Sequence, residues 1–175
     1  MTDKKTFSLN NLEPFKKFSQ SEYENFISNT SITSFSIGDP LSVENIISDS
    51  IYLILEGTAR LVGVIDNKFQ SKCKLGPGQF INLASQLRCC SCEKVIASTN
   101  VKALKISDNQ ILDLYQTNQV FKEWCNSTML PAEAYELARA LKTNSIRNDI
   151  DITAAYKAIL KYGKLKSYKY QDVIE

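Results

Sequence analysis

Cysteines are the side chains with the clearest chemical potential in this sequence, and three of them crowd into the segment Cys89-Cys90-Ser91-Cys92. Clustered thiolates bind zinc or iron–sulfur clusters and oxidise reversibly. The positive charges of Arg88 and Lys94 favour the thiolate form. However, the spacing differs from the C-x₂-C pair of structural zinc sites, and the sequence has no second cysteine pair that could complete such a site. We therefore expect no metal site and interpret the cluster as small packed side chains. The alternative is a metal site with Cys89, Cys90 and Cys92 as its ligands.

The absence of histidine removes most catalytic chemistry from the 175-residue chain. Serine and cysteine nucleophiles usually need an imidazole base, and the common zinc hydrolase helix needs two histidines. The turn Gly76-Pro77-Gly78 begins like a dinucleotide fingerprint, but Ile81 stands where the third glycine is needed. The chain also contains no Walker A sequence. We therefore predict that the chain is not an enzyme.

Positive and negative charges are almost balanced, with 21 Lys and Arg against 19 Asp and Glu and a net charge of +2. A dedicated nucleic-acid binder usually has a strongly basic face, so no specific DNA binding is expected. Lysines and tyrosines are interleaved in the tail beyond Asp151, a composition that can contact RNA or an anionic membrane surface. We interpret this tail as a solvated helix face or a linker, the more common role of such stretches.

The sequence carries no sign of secretion or of a membrane span. Its first residues are polar, unlike those of a signal peptide. No stretch approaches the ~20 apolar residues of a membrane helix. Five cysteines are an odd number and make a poor disulfide framework, which favours reduced thiols. We expect a cytoplasmic protein, and the cytosolic face of a membrane transporter is the more specific alternative.

Hydrophobic periodicity divides the chain into three zones. Residues 7–30 repeat apolar side chains at helical spacing, and Ser21 with Glu24 matches a capping box. Residues 31–106 change to short alternating or apolar runs that end at Gly, Pro or Asn, as in an antiparallel sandwich or barrel. Residues 108–128 are helical again. We predict a mainly β fold with flanking helices, in the α+β class.

A helical extension follows the third zone. Pro131 suits the first turn of a helix over 132–141, the segment 144–149 has the composition of a linker, and Gly163 ends a last helix over 153–162. The predicted division is a first domain of residues 1–128 and an extension with a basic tail over 129–175. The extension is also the predicted surface for a homodimer, or the link to a further domain.

The order of strands and turns resembles that of the cyclic nucleotide-binding domain family, which includes the catabolite activator protein and the regulatory subunits of protein kinase A. Four segments carry the resemblance: Ile37-Gly38-Asp39-Pro40-Leu41, the hairpin 51–62, Leu75-Gly76-Pro77-Gly78-Gln79-Phe80 and the strand pair 95–104. Together they place the resemblance over residues 8–128. It implies an antiparallel jelly-roll β-barrel that is helical at both ends.

Members of that family hold a cyclic phosphate in a short cassette between two strands. Backbone N–H groups of a short helix face the phosphate, a glutamate binds the ribose 2′-hydroxyl, and an arginine pairs with the phosphate charge. Here Leu83 stands at the place of the glutamate and Ser91 at the place of the arginine. Arg88 or Lys94 replaces the lost cation only if the loop is rerouted, and Glu93 adds negative charge near any phosphate. The resemblance therefore implies a degenerate cassette, with candidate ligand-binding residues Asn82, Leu83, Ala84, Arg88, Ser91 and Cys92.

The function predicted on this basis is a non-enzymatic regulatory or sensor module with an altered ligand pocket and no cofactor. Binding of cyclic AMP or cyclic GMP through a rearranged cassette is one alternative. The others are a thiol-based redox or metal sensor and a ligand-free interaction domain acting through residues 118–162. The identity of a small-molecule ligand stays open, and a protein partner or a following domain of the same chain is expected.

The segment Met129-Leu130-Pro131-Ala132-Glu133, which follows Trp124, is similar to a narrower group. In certain cyanobacterial proteins, a cyclic-nucleotide-binding-like domain precedes a cysteine-peptidase domain and an ABC exporter. This resemblance implies an N-terminal regulatory domain of an ABC-type exporter.

Overall fold

The computed structural model describes residues 9–65, 68–144 and 149–165. Residues 7–8 of the first predicted helical zone, most of the predicted linker 144–149 and the basic tail beyond Leu165 lie outside the described residues.

Eight strands form two antiparallel four-stranded sheets that enclose the core. The first sheet has the order β1-β8-β3-β6 and the second the order β2-β7-β4-β5, so each sheet combines strands that are distant in the chain. This arrangement is a jelly roll, and it confirms the predicted mainly β fold with flanking helices. The strands are β1 (Ser31–Phe35), β2 (Pro40–Ser42), β3 (Ser50–Glu56), β4 (Ala59–Ile65), β5 (Lys68–Leu75), β6 (Phe80–Ile81), β7 (Val95–Ala97) and β8 (Val101–Ser107).

The sequence pattern of the strands follows from their position in the sheets. β8 buries Val101 and Ala103 while Lys102 and Lys105 remain exposed, as expected for a strand with one face in the core. β3 pairs with β8 on one side and β6 on the other, and Ile51, Leu53 and Ile54 are fully buried. These two central strands form the wall of the core on which the later helices depend.

The N-terminal zone is less regular than the predicted helix over 7–30. It contains two short 3₁₀ turns, Leu9–Asn11 and Phe15–Lys17, before the helix α1 (Gln20–Ser28). The predicted capping box at Ser21 and Glu24 is wrong, since Ser19 caps α1. The Ser19 hydroxyl accepts from the backbone N–H of Glu22 at 3.3 Å, and the Glu22 carboxylate accepts from the N–H of Ser19 at 2.7 Å. The same residue types therefore cap the helix two positions earlier.

Four helices follow the barrel on the C-terminal side: α3 (Asp108–Thr117), α4 (Gln119–Ser127), α5 (Pro131–Asn144) and α6 (Ile152–Tyr162). The predicted helical zone over 108–128 is divided at Asn118, whose side-chain oxygen accepts from the N–H of Phe121 at 2.8 Å and caps α4. Pro131 starts α5 as predicted, and Gly163 follows α6 as its C-cap.

Helices α5 and α6 pack onto the barrel and join its apolar core. Ala134, Tyr135, Ala138 and Tyr156 are buried among the same set of apolar residues as the strands. The ring of Tyr135 covers Gly63 of β4 so closely that a Cβ on this glycine would lie 2.4 Å from the phenol oxygen. Only glycine permits this approach of helix and strand. Within the described residues, no helix is both long and apolar enough to cross a membrane.

Candidate functional site

The candidate site is the cassette between β6 and β7, which contains one short helix, α2 (Leu83–Leu87). The cassette begins at Asn82, which has a positive φ of 68°. Asparagine is among the few residues other than glycine that adopt this conformation readily. The buried Asn82 side chain donates to the backbone oxygen of Ser50 at 2.9 Å. The amide therefore ties the start of the cassette to the start of β3.

The first turn of α2 faces the core. Leu83 and Ala84 are each 1% exposed, and Ser85 is 2% exposed. A leucine side chain offers no hydrogen-bond acceptor for a ribose hydroxyl. The first residue of α2 therefore presents a packed apolar side chain, without an acceptor, at this point of the cassette.

Glu93 places its carboxylate on the backbone N–H groups at the start of α2. One carboxylate oxygen accepts from the N–H of Asn82 at 2.5 Å and the other from the N–H of Ser85 at 3.3 Å. A further hydrogen bond comes from the backbone of Ala84. Glu93 is only 5% exposed. A carboxylate of the chain itself therefore occupies the start of the cassette helix.

Burial also changes the acidity of this carboxylate. Desolvation raises the pKa of Glu93 from its ordinary value of 4.5 to about 6, although the three backbone donors favour the charged form. The nearby negative charge of Glu133 contributes in the same direction. Glu93 therefore changes charge closer to neutral pH than an exposed glutamate does.

Little space remains between the cassette, the barrel and the start of α5. Leu61, Phe80, Ala84 and Glu93 approach Leu130–Ala132 from one side, and the cavity between them measures about 10 Å³. That is about the room needed for one water molecule. In this arrangement the start of α5 fills the space next to the cassette.

Arg88, at the end of α2, connects the cassette to α5. Its Nε atom donates to the Glu133 carboxylate at 2.5 Å, and the other oxygen of Glu133 accepts from the backbone N–H of Leu130 at 2.8 Å. Arg88 therefore does not act as a substitute cation at the start of α2. Lys94 is also engaged elsewhere, since its ammonium group lies 3.9 Å from the ring centre of Phe69 and 3.9 Å from Glu44.

Ser91 belongs to a separate polar cleft. The cleft has a volume of about 170 Å³ and lies between the end of the cassette, β4 and α5, with Glu44, Tyr135 and Arg139 in its walls. The hydroxyl oxygen of Ser91 is buried and has no hydrogen-bond partner among the described residues. Within the described part of the chain, Ser91 therefore offers this cleft an unused donor and acceptor.

The three clustered cysteines differ in their surroundings. Cys89 and Cys90 are exposed, whereas Cys92 is half-buried with its sulfur 3.6 Å from the Ser85 hydroxyl. Burial raises the pKa of the Cys92 thiol to about 12. Among the described residues, the structure assembles no group of three or more His, Cys, Asp or Glu side chains that could hold a metal ion. The alternative ligand set of Cys89, Cys90 and Cys92 is therefore not brought together as a metal site.

Two residues of the site are missing from the sequence-based candidate set. The sequence indicates Glu93 only as added negative charge and Glu133 only as part of the segment 129–133. The signal for Glu93 is its acidic side chain two positions after Ser91, which does not indicate burial. Glu133 is 45 residues from Arg88, and no local pattern links the two.

Comparison with known proteins connects this geometry to a family. Residues 32–118 match the family model described as the cyclic nucleotide-binding domain. No curated protein matches the chain.

Solved structures with the same fold include three regulatory proteins. A regulatory subunit of a cAMP-independent protein kinase A from Trypanosoma brucei is 20% identical, with a TM-score of 0.62 over 75% of this chain and 48% of that one. The corresponding Trypanosoma cruzi subunit, bound to guanosine, is 18% identical, with a TM-score of 0.56 over 92% and 50%. The catabolite activator protein of Thermus thermophilus is 19% identical, with a TM-score of 0.55 over 74% and 58%. The chain thus spans about half the length of the two trypanosomal subunits, and the similarity is one of fold.

Proposed function

Because residues 32–118 belong to the cyclic nucleotide-binding domain family, we propose that this chain is a non-enzymatic regulatory module whose cassette is closed by its own Glu93. In this proposal the chain does not take up a cyclic phosphate. The observation that carries it is the Glu93 carboxylate, hydrogen-bonded to the N–H groups of Asn82 and Ser85 at the start of α2.

Charge opposes phosphate binding at this position. An anion entering the cassette would have to displace the carboxylate or share its donors, and like charges at close range in a buried site repel strongly. The chain also lacks the two side chains that would compensate, because Leu83 accepts no hydrogen bond and Ser91 carries no charge. Arg88 is held by Glu133 at the other end of α2. Each of these features supports a cassette without phosphate.

A regulatory role is supported by the connection between the cassette and α5. Arg88 and Glu133 join the end of α2 to the first turn of α5, and Leu130–Ala132 pack against the cassette itself. Any partner that prefers another position of α5 would have to change these contacts. A partner bound to α5 would then shift the population between two arrangements of helix and barrel.

Calorimetric titration with cyclic AMP and cyclic GMP tests the proposal. We expect no binding heat at a nucleotide concentration of about 1 mM, which corresponds to a binding free energy weaker than about 4 kcal/mol. The double variant Ser91→Arg with Glu93→Ala, which leaves the buried Leu83 in place, is expected to gain measurable binding. The same charge change on α4, Ser127→Arg with Glu123→Ala, controls for long-range attraction and should bind nothing.

Micromolar binding of either cyclic nucleotide by the unaltered chain would refute the proposal. The alternative of a rearranged cassette would then replace it, since the nucleotide would have to displace Glu93. Circular dichroism of each variant shows whether the β-rich fold is retained before the heats are compared.

An uncharged nucleoside is a second candidate ligand, and the cleft beside Ser91 favours it. A nucleoside carries no phosphate, so neither the missing arginine nor the negative charge of Glu93 opposes it. The cleft of about 170 Å³ offers the unpaired Ser91 hydroxyl, and the related subunit from Trypanosoma cruzi was solved with guanosine bound. Titration with guanosine and adenosine should then give heat where the cyclic nucleotides give none, and Ser91→Ala should weaken it.

The place of this module in a larger assembly remains a proposal. The similarity of residues 129–133 to cyanobacterial proteins supports an N-terminal regulatory position before an exporter. Sequencing the reading frame beyond Glu175 tests it directly. A cysteine-peptidase or exporter continuation would support the exporter context, and a stop codon there would favour a separate adaptor that acts on a partner protein.

A further inference from the structure

The cassette contains three thiols, and two of them are separated by a single residue and anchored on the same serine. Cys90 is exposed and Cys92 is half-buried. Residues two positions apart have Cα atoms no more than about 7 Å apart, even in an extended chain. A disulfide needs a Cα separation of about 4.4–6.8 Å. Residues at this spacing therefore fall at or below the upper end of the range that a disulfide spans.

Ser85 holds this thiol pair against α2. The backbone N–H of Cys90 donates to the carbonyl oxygen of Ser85 at 3.1 Å, and the N–H of Cys92 donates to its hydroxyl at 3.3 Å. The chain reverses direction at Cys89, which has a positive φ of 51°. The thiols are thus presented on a tight turn that is anchored on the cassette helix.

The next residue in the chain is Glu93, whose carboxylate closes the cassette. We propose that Cys90 and Cys92 are a peroxide-oxidisable dithiol, and that their disulfide draws Glu93 away from the start of α2. Oxidation would thereby open the cassette. This inference rests on the proposed role of Glu93 as the group that closes it.

The oxidation requires a hydroperoxide as the two-electron oxidant. The exposed Cys90 thiolate attacks the peroxide, the O–O bond breaks, and Cys90 becomes a sulfenic acid while an alcohol or water leaves. The Cys92 sulfur then attacks the sulfenic sulfur. The S–S bond forms, the sulfenic oxygen leaves as water with the Cys92 proton, and the peroxide has taken two electrons from the two thiols.

Cys90 is the first residue to react because its thiol is exposed. Burial holds the pKa of Cys92 at about 12, so Cys92 remains a thiol at neutral pH. In the disulfide the two sulfurs are about 2 Å apart. We place the shift that this requires at Cys92, whose sulfur would give up its 3.6 Å contact with the Ser85 hydroxyl. Glu93 is the next residue along the chain, so the same shift would lengthen the 2.5 Å contact between its carboxylate and the N–H of Asn82.

Trypsin provides a direct mass test, because it cleaves after Arg88 and Lys94. The peptide between these sites, residues 89–94, contains all three thiols of the cluster. After treatment of the whole chain with a stoichiometric amount of hydrogen peroxide, we expect this peptide to lose the mass of two hydrogens and to regain it with dithiothreitol. Cys90→Ser and Cys92→Ser should each abolish this change, and Cys89→Ser is the matched control that should retain it.

The single tryptophan reports on the cassette. Trp124 packs against Phe80 with ring centres 5.6 Å apart, and Phe80 lies in the strand that enters the cassette. We expect oxidation to shift the Trp124 emission in the unaltered chain and in Cys89→Ser, but not in Cys90→Ser or Cys92→Ser. A disulfide that forms without this shift would overturn the inference, as would a Cys89–Cys90 bond or only sulfinic acid.

The outcomes separate this inference from the proposed function. Nucleotide titration of the fully reduced chain tests the closed cassette and does not involve the thiols. The mass and fluorescence experiments involve no nucleotide. A reduced chain that binds cyclic AMP would refute the proposed function and the opening of the cassette but not the disulfide, whereas an unchanged peptide 89–94 would refute the dithiol alone.

Discussion

Three residues of the cassette act together at the scale of single side chains. Leu83 is a packed apolar side chain, Ser91 is uncharged, and Glu93 places its carboxylate on the N–H groups at the start of α2. In the proposed function each of these features disfavours a bound phosphate. Because Glu93 uses these N–H donors, the start of the cassette helix has satisfied hydrogen bonds without a ligand. The three residues therefore form a consistent set.

The raised pKa of Glu93 predicts a pH dependence of stability. Its pKa in the folded chain is about 6, against an ordinary value of 4.5, so between these values the folded state binds more protons than the unfolded state. The contribution of Glu93 to the free energy of unfolding is then fully present below about pH 4.5 and falls as the pH rises through 6. The loss is about 2 kcal/mol.

Urea unfolding at several pH values, on the unaltered chain and on Glu93→Gln, measures this contribution. The variant should lack the fall between pH 4.5 and 6. Other groups with shifted pKa, such as Glu22 and Glu136, are present in both chains and cancel in the difference. Glu123→Gln removes an exposed charge and should keep the full dependence. Parallel pH profiles for the unaltered chain and Glu93→Gln would contradict the assignment.

At the scale of elements, the contact between α2 and α5 connects the cassette to the helices that follow the barrel. Glu133 serves both elements, because it pairs with Arg88 and accepts from the N–H of Leu130 in the first turn of α5. The charged atoms are partly shielded, with 33% of the Arg88 side chain and 12% of the Glu133 side chain exposed. Such a pair is expected to hold two elements better than a fully exposed one.

A double-mutant cycle on Arg88→Gln and Glu133→Gln measures this connection. We expect a coupling of about 1 kcal/mol from urea unfolding, at the upper end for partly exposed pairs. Lys102 and Glu56 form the matched control, because their charged atoms lie 3.9 Å apart with 46% and 65% of the side chains exposed. Their cycle should give no measurable coupling. Equal coupling in both cycles would show that the Arg88 contact has no special role.

At the scale of the whole molecule, the division of the chain depends on the last two helices. Tyr135 of α5 and Tyr156 of α6 are buried, with ring centres 6.5 Å apart, and both belong to the core that the barrel strands form. Lys72 of β5 places its ammonium group 5.3 Å from the Tyr135 ring centre. Helices α5 and α6 therefore complete the apolar core on one side of the second sheet.

Truncation tests whether the first 128 residues are a domain by themselves. A chain that ends at Thr128 would expose the surface beneath Tyr135 and Tyr156, so we expect a lower midpoint in urea and binding of a hydrophobic dye. A chain that ends at Leu165 keeps α5 and α6 and should match the full chain. If the chain ending at Thr128 has the stability of the full chain, α5 and α6 are a separable extension.

Local patterns were sufficient for most of the fold. The alternation in β8, the apolar run of β3 and the start of α5 at Pro131 are visible in the sequence, because burial on one face imposes a short period on neighbouring residues. Helix caps were harder to place. Ser19 and Ser21 are both plausible caps, and only the hydrogen bonds of Ser19 with Glu22 distinguish them.

The order of the strands and turns, and the presence of Leu83 and Ser91 at the proposed anchor positions, can be read from the sequence, since they depend on residue identity and spacing along the chain. Tertiary structure decided that the Glu93 carboxylate is buried on the cassette helix and that Arg88 pairs with Glu133. Both contacts depend on where distant segments meet. The sequence shows that residue 93 carries a carboxylate. The burial of this carboxylate and the backbone N–H groups that donate to it depend on the packing of β7, α2 and α5.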